Sequence, residues 1–167
     1  MLKKIVTVID NVSRWTGTVV SYIMFLVVAI VCYEVSMRYL FHRPTIWASE
    51  AMVFCCGLVY VLGASWTLLD NRHVKIDMFR ERISPRGKRL IDLVTFFFFA
   101  LYMVMMIGEG SKFAWESLKL FESTGTPWDP PVYPLKTAFV ASLIMLLLQG
   151  VSKALKDLHF IVKGKEL

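Results

Sequence analysis

The order of apolar and polar positions divides this chain into four long apolar stretches joined by short polar ones. Residues 19–32 and 93–107 are apolar on every side of a would-be helix and not along one stripe, the pattern of a segment whose surroundings are apolar in all directions. Residues 17–40 form the first stretch, about 36 Å of helix and enough to cross a ~30 Å hydrocarbon layer with some tilt. The connector His42, Arg43, Pro44, Thr45 is too short to hold a domain, and Pro44 ends one helix before residues 46–69 supply the next, so the first two spans form an antiparallel hairpin. Residues 90–107 and 132–151 supply the third and fourth, with Pro134 tolerated in a first helical turn and Gln149 near the far end. The expected architecture is an all-α integral membrane protein of four transmembrane helices, residues 1–167 forming a single membrane domain.

The intervening segments carry their own pattern. In residues 1–15, Leu2, Ile5, Val6, Ile9 and Val12 recur at helical spacing against Lys3, Lys4, Asp10 and Arg14, with Trp15 where an interface begins; this predicts a short amphipathic interfacial helix. Residues 70–89 are polar and strongly basic yet keep Val74, Ile76, Met78, Phe79 and Ile83, as a segment hugging a membrane surface does, and Ser84, Pro85, Arg86 and Gly87 are expected to break it. Residues 108–131 read as an amphipathic helix, Phe113, Leu118 and Phe121 opposing Glu109, Lys112, Glu116 and Lys119, followed by an extended loop containing Pro127, Pro130 and Pro131. The run of phenylalanines at 96–99 is expected to face lipid.

Composition agrees with this reading: the 167 residues are 56% hydrophobic, with a mean hydropathy of +0.57, more apolar surface than one soluble core of this size needs. Cys32, Cys55 and Cys56 all lie inside apolar stretches and read as small buried hydrophobes, not as a disulfide framework or a metal site. No small-residue cleavage site follows the first apolar stretch, so the N-terminus is expected to stay on the protein. The net charge of +6 does not point to nucleic acid, because the basic residues sit between apolar stretches and never form an aromatic-interleaved basic domain.

That charge sets orientation instead. Lys3, Lys4 and Arg14 precede the first span. Arg72, Lys75, Arg80, Arg82, Arg86, Lys88 and Arg89 follow the second, and Lys153, Lys156, Lys163 and Lys165 follow the fourth. The other five cations, Arg38, Arg43, Lys112, Lys119 and Lys136, are diluted by Glu109, Glu116, Glu122 and Asp129. By the positive-inside rule both termini and residues 70–89 are cytoplasmic, and an even number of spans is required.

Charges within a span cost several kcal/mol when unpaired and so mark pairing or function. Glu34 and Arg38 share one face of the first span at i, i+4, and the hairpin brings Glu50 to the same leaflet. On the second span Trp47, Glu50, Phe54, Gly57, Val61 and Ala64 recur at steps of three and four, a face with a carboxylate at its outer end and small residues deeper, where another helix approaches closely. The reading is helix or partner contact, with a proton or ion relay as the alternative; the charges lie near helix ends, not at the midplane. His42, His73 and His159 fall in loops or the tail, so no pair clamps a haem. No phosphate loop, nucleophile elbow or metalloprotease motif occurs, and Ser65 near His73 has no acidic orienter. No enzyme, metal or cofactor is expected. Nor are there the repeats and interrupted mid-membrane helices of a carrier.

Glu34, Arg38, Tyr39, Phe41, Trp47 and Glu50, followed by Gly63 and by His73, Val74, Ile76 and Asp77, together resemble the small membrane (Q-type) subunit of tripartite ATP-independent periplasmic (TRAP) transporters. The likeness covers the first two spans and the segment after them; the later spans match in hydropathy and length. The resemblance implies a bacterial inner-membrane system in which a periplasmic substrate-binding protein delivers an organic acid, such as a dicarboxylate or sialic acid, to a large multi-helix subunit. That partner would hold the coupling ion, sodium. This chain would brace the large subunit, with Glu34, Arg38, Tyr39, Trp47, Glu50, Gly57, Gly63, His73 and Asp77 as structural or interface residues. Trp128 and Asp129, in a stiff exposed loop, are candidates for docking the binding protein, with a plain spacer as the alternative. Two other functions stay open on residues alone: a small proton-coupled multidrug exporter working as a homodimer, and a membrane adaptor unconnected to transport.

Overall fold

A computed structural model describes residues 2–70 and 84–163. Four helices make up almost all of it: α1 (Leu2–Tyr39), α2 (Ala48–Leu69), α3 (Pro85–Lys119) and α4 (Tyr133–Lys163). Each is long and apolar enough to cross a membrane, and no strand occurs among the described residues. The connections at 40–47 and 120–132 lie together at one end of the bundle, the loop end, because Trp47 and Trp128 meet there. Asp10 meets Lys156 and Arg89 meets Asp157 at the other, the terminal end. The chain therefore crosses an even number of times, with both described termini on the same side.

The helices overrun the apolar stretches that seed them. Residues 2–15 are continuous with the first span in one helix of 38 residues. No proline interrupts them, and Asp10 and Ser13 find partners on α4, so the helix has no reason to break at Trp15. Ser84 and Pro85 start α3; the basic segment before them, expected to hug the membrane surface, lies outside the described residues from 71 to 83. Ser84 is its N-cap, its hydroxyl accepting from the Gly87 N–H at 3.3 Å, with Pro85 at the first position where its missing N–H costs nothing. Beyond residue 107, α3 continues to Lys119, and α4 runs past 151 to Lys163.

Three seams hold the bundle: α1 on α2, α2 on α4, and α3 on α4, with α4 also reaching α1. The central cluster is Met103, Leu143 and Leu146, packed by Ala64, Phe99 and Phe139, where α2, α3 and α4 meet. The other buried apolar side chains are spread along the seams, from Val6 to Ala154. Tyr22, Phe25, Val53, Tyr60, Phe97 and Met105 all point outward, which in water would be an aggregation surface and in lipid is simply solvated. The phenylalanine run splits by helical geometry: Phe97 and Phe98 face outward, whereas Phe96 and Phe99 pack over Gly150 of α4. Of the cysteines, Cys55 and Cys56 are partly buried, but Cys32 is on the outside of the bundle, against the expectation of burial. A thiol there is compatible with an apolar surround.

Without a hydrophobic driving force between helices in lipid, close approach of backbones supplies the packing. The tight points are Gly17 and Gly150. A Cβ on Gly17 would sit 2.5 Å from the Trp66 ring, and one on Gly150 would sit 2.7 Å from Phe99. Gly57, facing Leu135, and Gly63, facing Val20, have ordinary room, at 3.5 and 3.7 Å.

Gly17→Ala and Gly150→Ala are each expected to cost about 1–3 kcal/mol by overpacking a flat aromatic face. Gly57→Ala should stay within about 0.5 kcal/mol. Apparent melting temperatures of the purified variants in one detergent check the ranking.

Candidate functional site

At the loop end the carboxylate of Glu34, 5% exposed, is fully engaged. One oxygen accepts from Arg38 at 2.8 Å, and the other accepts both the backbone N–H of Thr45, at 3.2 Å, and its hydroxyl. The i, i+4 spacing makes the first contact, and a turn brings Thr45 back for the others. His42 adopts a left-handed conformation (φ 53°), and the Arg43 N–H reaches the Met37 carbonyl at 2.9 Å. Glu34 thus ties the start of α2 to the end of α1. The Arg38 side chain stays 52% exposed, with guanidinium donors left over.

Glu50 does not join this pair. Its carboxylate turns to the other connection and accepts from the Thr124 hydroxyl at 3.4 Å, a long bond. Trp47, at the N-cap of α2 with no capping bond of its own, stacks on Tyr33 at 5.9 Å and meets Trp128 at 6.5 Å. An aromatic ladder of Tyr33, Trp47 and Trp128 therefore joins α1, α2 and the proline-rich loop. Tyr39, the last residue of α1, is exposed. Gly57 faces α4 and Gly63 faces α1. His73 and Asp77 lie outside the described residues.

The proline-rich loop is a tight structure. Leaving α3, Phe121 takes a left-handed conformation (φ 47°) while Glu122 N–H bonds Ser117 and Phe121 N–H bonds Leu118, a Schellman cap with phenylalanine where glycine is usual. Such a residue stores about 1–2 kcal/mol of strain, and the Phe121 ring finds its compensation edge-on against Tyr133. Residues 123 and 131 bridge. Asp129, itself left-handed, spans the interior: its carboxylate accepts from the Ser123 hydroxyl and from the Gly125 N–H at 2.8 Å, which together hold it below the usual carboxylate range. Lys136 closes the base, pairing with Glu122 at 2.5 Å and lying 3.8 Å from the centre of the Phe113 ring. Lys136 also lowers the Glu122 carboxyl. The Trp128 face is half open, at 41% exposure; the Asp129 carboxylate is occupied within the loop.

The terminal end holds a second polar cluster that the spacing of charges did not single out. Gln149, 1% exposed, accepts from Ser13 at 2.8 Å and donates to Asp10 at 3.0 Å, and Asp10 also accepts from Ser152 at 3.2 Å and Lys156 at 2.6 Å. Asp157, also 1% exposed, pairs with Arg89 of α3, whose guanidinium lies over Phe160. Gln149, Ser152 and Lys156 fall at i, i+3 and i+7, and Asp10 and Ser13 at i, i+3. That matching pair of polar stripes was the available signal. Apolar and basic neighbours disguised it as a span end and a solvated tail.

Between these two ends, residues 15–33, 51–69, 93–108 and 137–152 carry no charged side chain. No cluster of histidine, cysteine and carboxylates suited to a metal occurs among the described residues. A comparison with families finds that residues 27–160 match a profile described as tripartite ATP-independent periplasmic transporters, DctQ component. No individual curated protein matches the chain.

Gln149→Leu leaves the Ser13 hydroxyl without its acceptor and Asp10 with one donor fewer, and should destabilise by about 1–3 kcal/mol, read as a lowered melting point in detergent. The loop makes a pH prediction. Because the folded Asp129 pKa is lowered, its stabilisation is complete above the usual carboxylate range near pH ~4. It is lost as pH falls through the lowered value. An acid titration of Trp128 fluorescence, taken as wild type minus Trp128→Phe, should show that transition, and Asp129→Asn should flatten it.

Proposed function

The chain belongs to the DctQ component family of tripartite ATP-independent periplasmic transporters, a family of transporter components, and from that premise we propose that it braces a large carrier subunit and helps dock a periplasmic binding protein. It is a small TRAP transporter subunit and a multi-pass membrane protein, and a tripartite system implies partners. In this reading the terminal end faces the cytoplasm of a bacterial inner membrane, in keeping with the basic residues before the first span, after the second and after the fourth. The loop end then faces the periplasm, where the binding protein delivers an organic acid for sodium-coupled import.

The observation that carries the bracing role is the charge-free middle of all four spans. Coupling ions and organic anions are held near the midplane by polar side chains or broken helices, and this chain offers only continuous helices there. Its charged groups instead join α4 to α1 and α3 at one end and pin the two connections at the other. The transported solute therefore belongs to the partner. At the loop end, the spare donors of Arg38 and the open face of Trp128 are the features available to other components. The carboxylate of Asp129 acts there by shaping the loop, so its part in docking is indirect.

Co-expression with the large subunit and purification in mild detergent should give a stable complex that takes up its organic acid in proteoliposomes when binding protein and a sodium gradient are supplied. A lone homodimer that exports cationic drugs would overturn the reading. Trp128→Ala is expected to weaken binding-protein affinity about tenfold, ~1.4 kcal/mol, as measured by surface binding to the reconstituted complex. Unchanged affinity and uptake would remove the docking role and leave the brace.

A further inference from the structure

On the outside of the α1–α2 seam, near the terminal end, lies a groove of about 450 Å³ lined by Arg14, Thr18, Ser21, Tyr22, Phe25 and Trp66. Gly17 makes it, because the absence of a side chain there lets the Trp66 ring lie flat against α1 and leaves a furrow beside it. The groove is polar at one end and apolar at the other. Arg14 makes no ion pair among the described residues. The acid nearest to it in sequence, Asp10, is already matched by Lys156. The Thr18 and Ser21 hydroxyls donate to the carbonyls of Arg14 and Gly17, at 3.2 and 3.0 Å, so each still presents acceptor lone pairs and a polar rim. Further along, Tyr22 and Phe25 are 71% and 76% exposed and form an aromatic wall.

The depth of the groove identifies what fits it. Trp15 is exposed beside Arg14, and Trp66 lies at the level of Gly17, so a pair of tryptophans marks the membrane interface at that end. Along α2, Trp47 and Trp66 are about 28 Å apart by helical rise, close to the ~30 Å thickness of the hydrocarbon layer. From Arg14 to Phe25 is about 16 Å, the depth of one leaflet. The cation therefore stands at headgroup height, and the aromatic wall runs from there to mid-bilayer. We infer that this groove binds an anionic glycerophospholipid, its phosphate on the Arg14 guanidinium and one acyl chain along Tyr22 and Phe25. Charge complementarity favours a headgroup of net negative charge, since Arg14 is the one charged residue that lines the groove and faces no unmatched acid on its own stretch of α1. The inference needs the chain to span a bilayer and is independent of what the assembled system transports.

The test is native mass spectrometry of the full chain released from nanodiscs of phosphatidylglycerol or of phosphatidylcholine. Wild type should retain one phosphatidylglycerol and little phosphatidylcholine. Arg14→Gln should lower that retention about tenfold, Arg14→Lys should keep most of it, and Lys4→Gln should leave it unchanged. Thr18→Trp, which fills the groove while keeping the charge, should also lose the lipid. Equal retention of the two lipids, no loss in Arg14→Gln, an equal loss in Lys4→Gln, or displacement by inorganic phosphate alone would each overturn the proposal. So would cross-linking of Tyr22→Cys to another protein subunit in the purified complex, which would make the groove a protein seam.

Discussion

Asp10 cannot stand as a bare carboxylate against helices that lie in or beside a bilayer, and the way α4 meets it organises the rest of the molecule. Gln149, Ser152 and Lys156 converge on that one side chain, and Ser13 completes the set through Gln149. Asp157, the residue after Lys156, does the same for Arg89. Two contacts of high cost if broken thus fix α4 against both α1 and α3 at the terminal end. They also explain why α1 and α4 run on as helices beyond their apolar spans: each extension carries the partner that the other requires.

The loop end is organised on a different principle. Each connection is short and is pinned by a carboxylate inside or beside it, Glu34 for residues 40–47 and Asp129 with Glu122 for residues 120–132. Left-handed residues other than glycine, His42, Phe121 and Asp129, absorb the turns. Strain of this kind persists where surrounding contacts over-determine it, and here aromatic stacking and ion pairs do so. The result is a rigid platform built from both connections, with the Tyr33, Trp47 and Trp128 ladder as its join. A rigid end and charge-free spans suit a subunit that supports a carrier more than one that must open and close around a solute.

Much of this was legible in the order of residues. The four spans follow from apolar runs too long and too uniform for any other surrounding, and the Glu34–Arg38 pair follows from its spacing. The resemblance carried by the first hairpin and the segment after it agrees with a family match over residues 27–160. Glu50 was less transparent. Its height in the bilayer matches that of Glu34, but a side chain on another helix chooses among partners by rotation about that helix, and Thr124 is the neighbour it faces. Ser84 and Pro85 read as a boundary, and the helix that starts there is what the boundary opens.

The sequence by itself determined the number of spans, the charge-free middles, the local i, i+4 pair and the stiffness of the proline-rich loop, since each depends on composition or on neighbours within one turn. Only the tertiary structure decided the seams: which glycines are indispensable, which half of the 96–99 run turns inward, and that a tail of mixed polarity is really the lock on α1. Those outcomes depend on contacts between residues far apart in the chain, Gly17 with Trp66, Phe99 with Gly150, and Asp10 with Lys156. A one-dimensional pattern gives the face a residue occupies but not the partner that face meets. The two sites at the ends of the bundle came from that second step, one read in part beforehand and the other visible only once α1 and α4 were side by side.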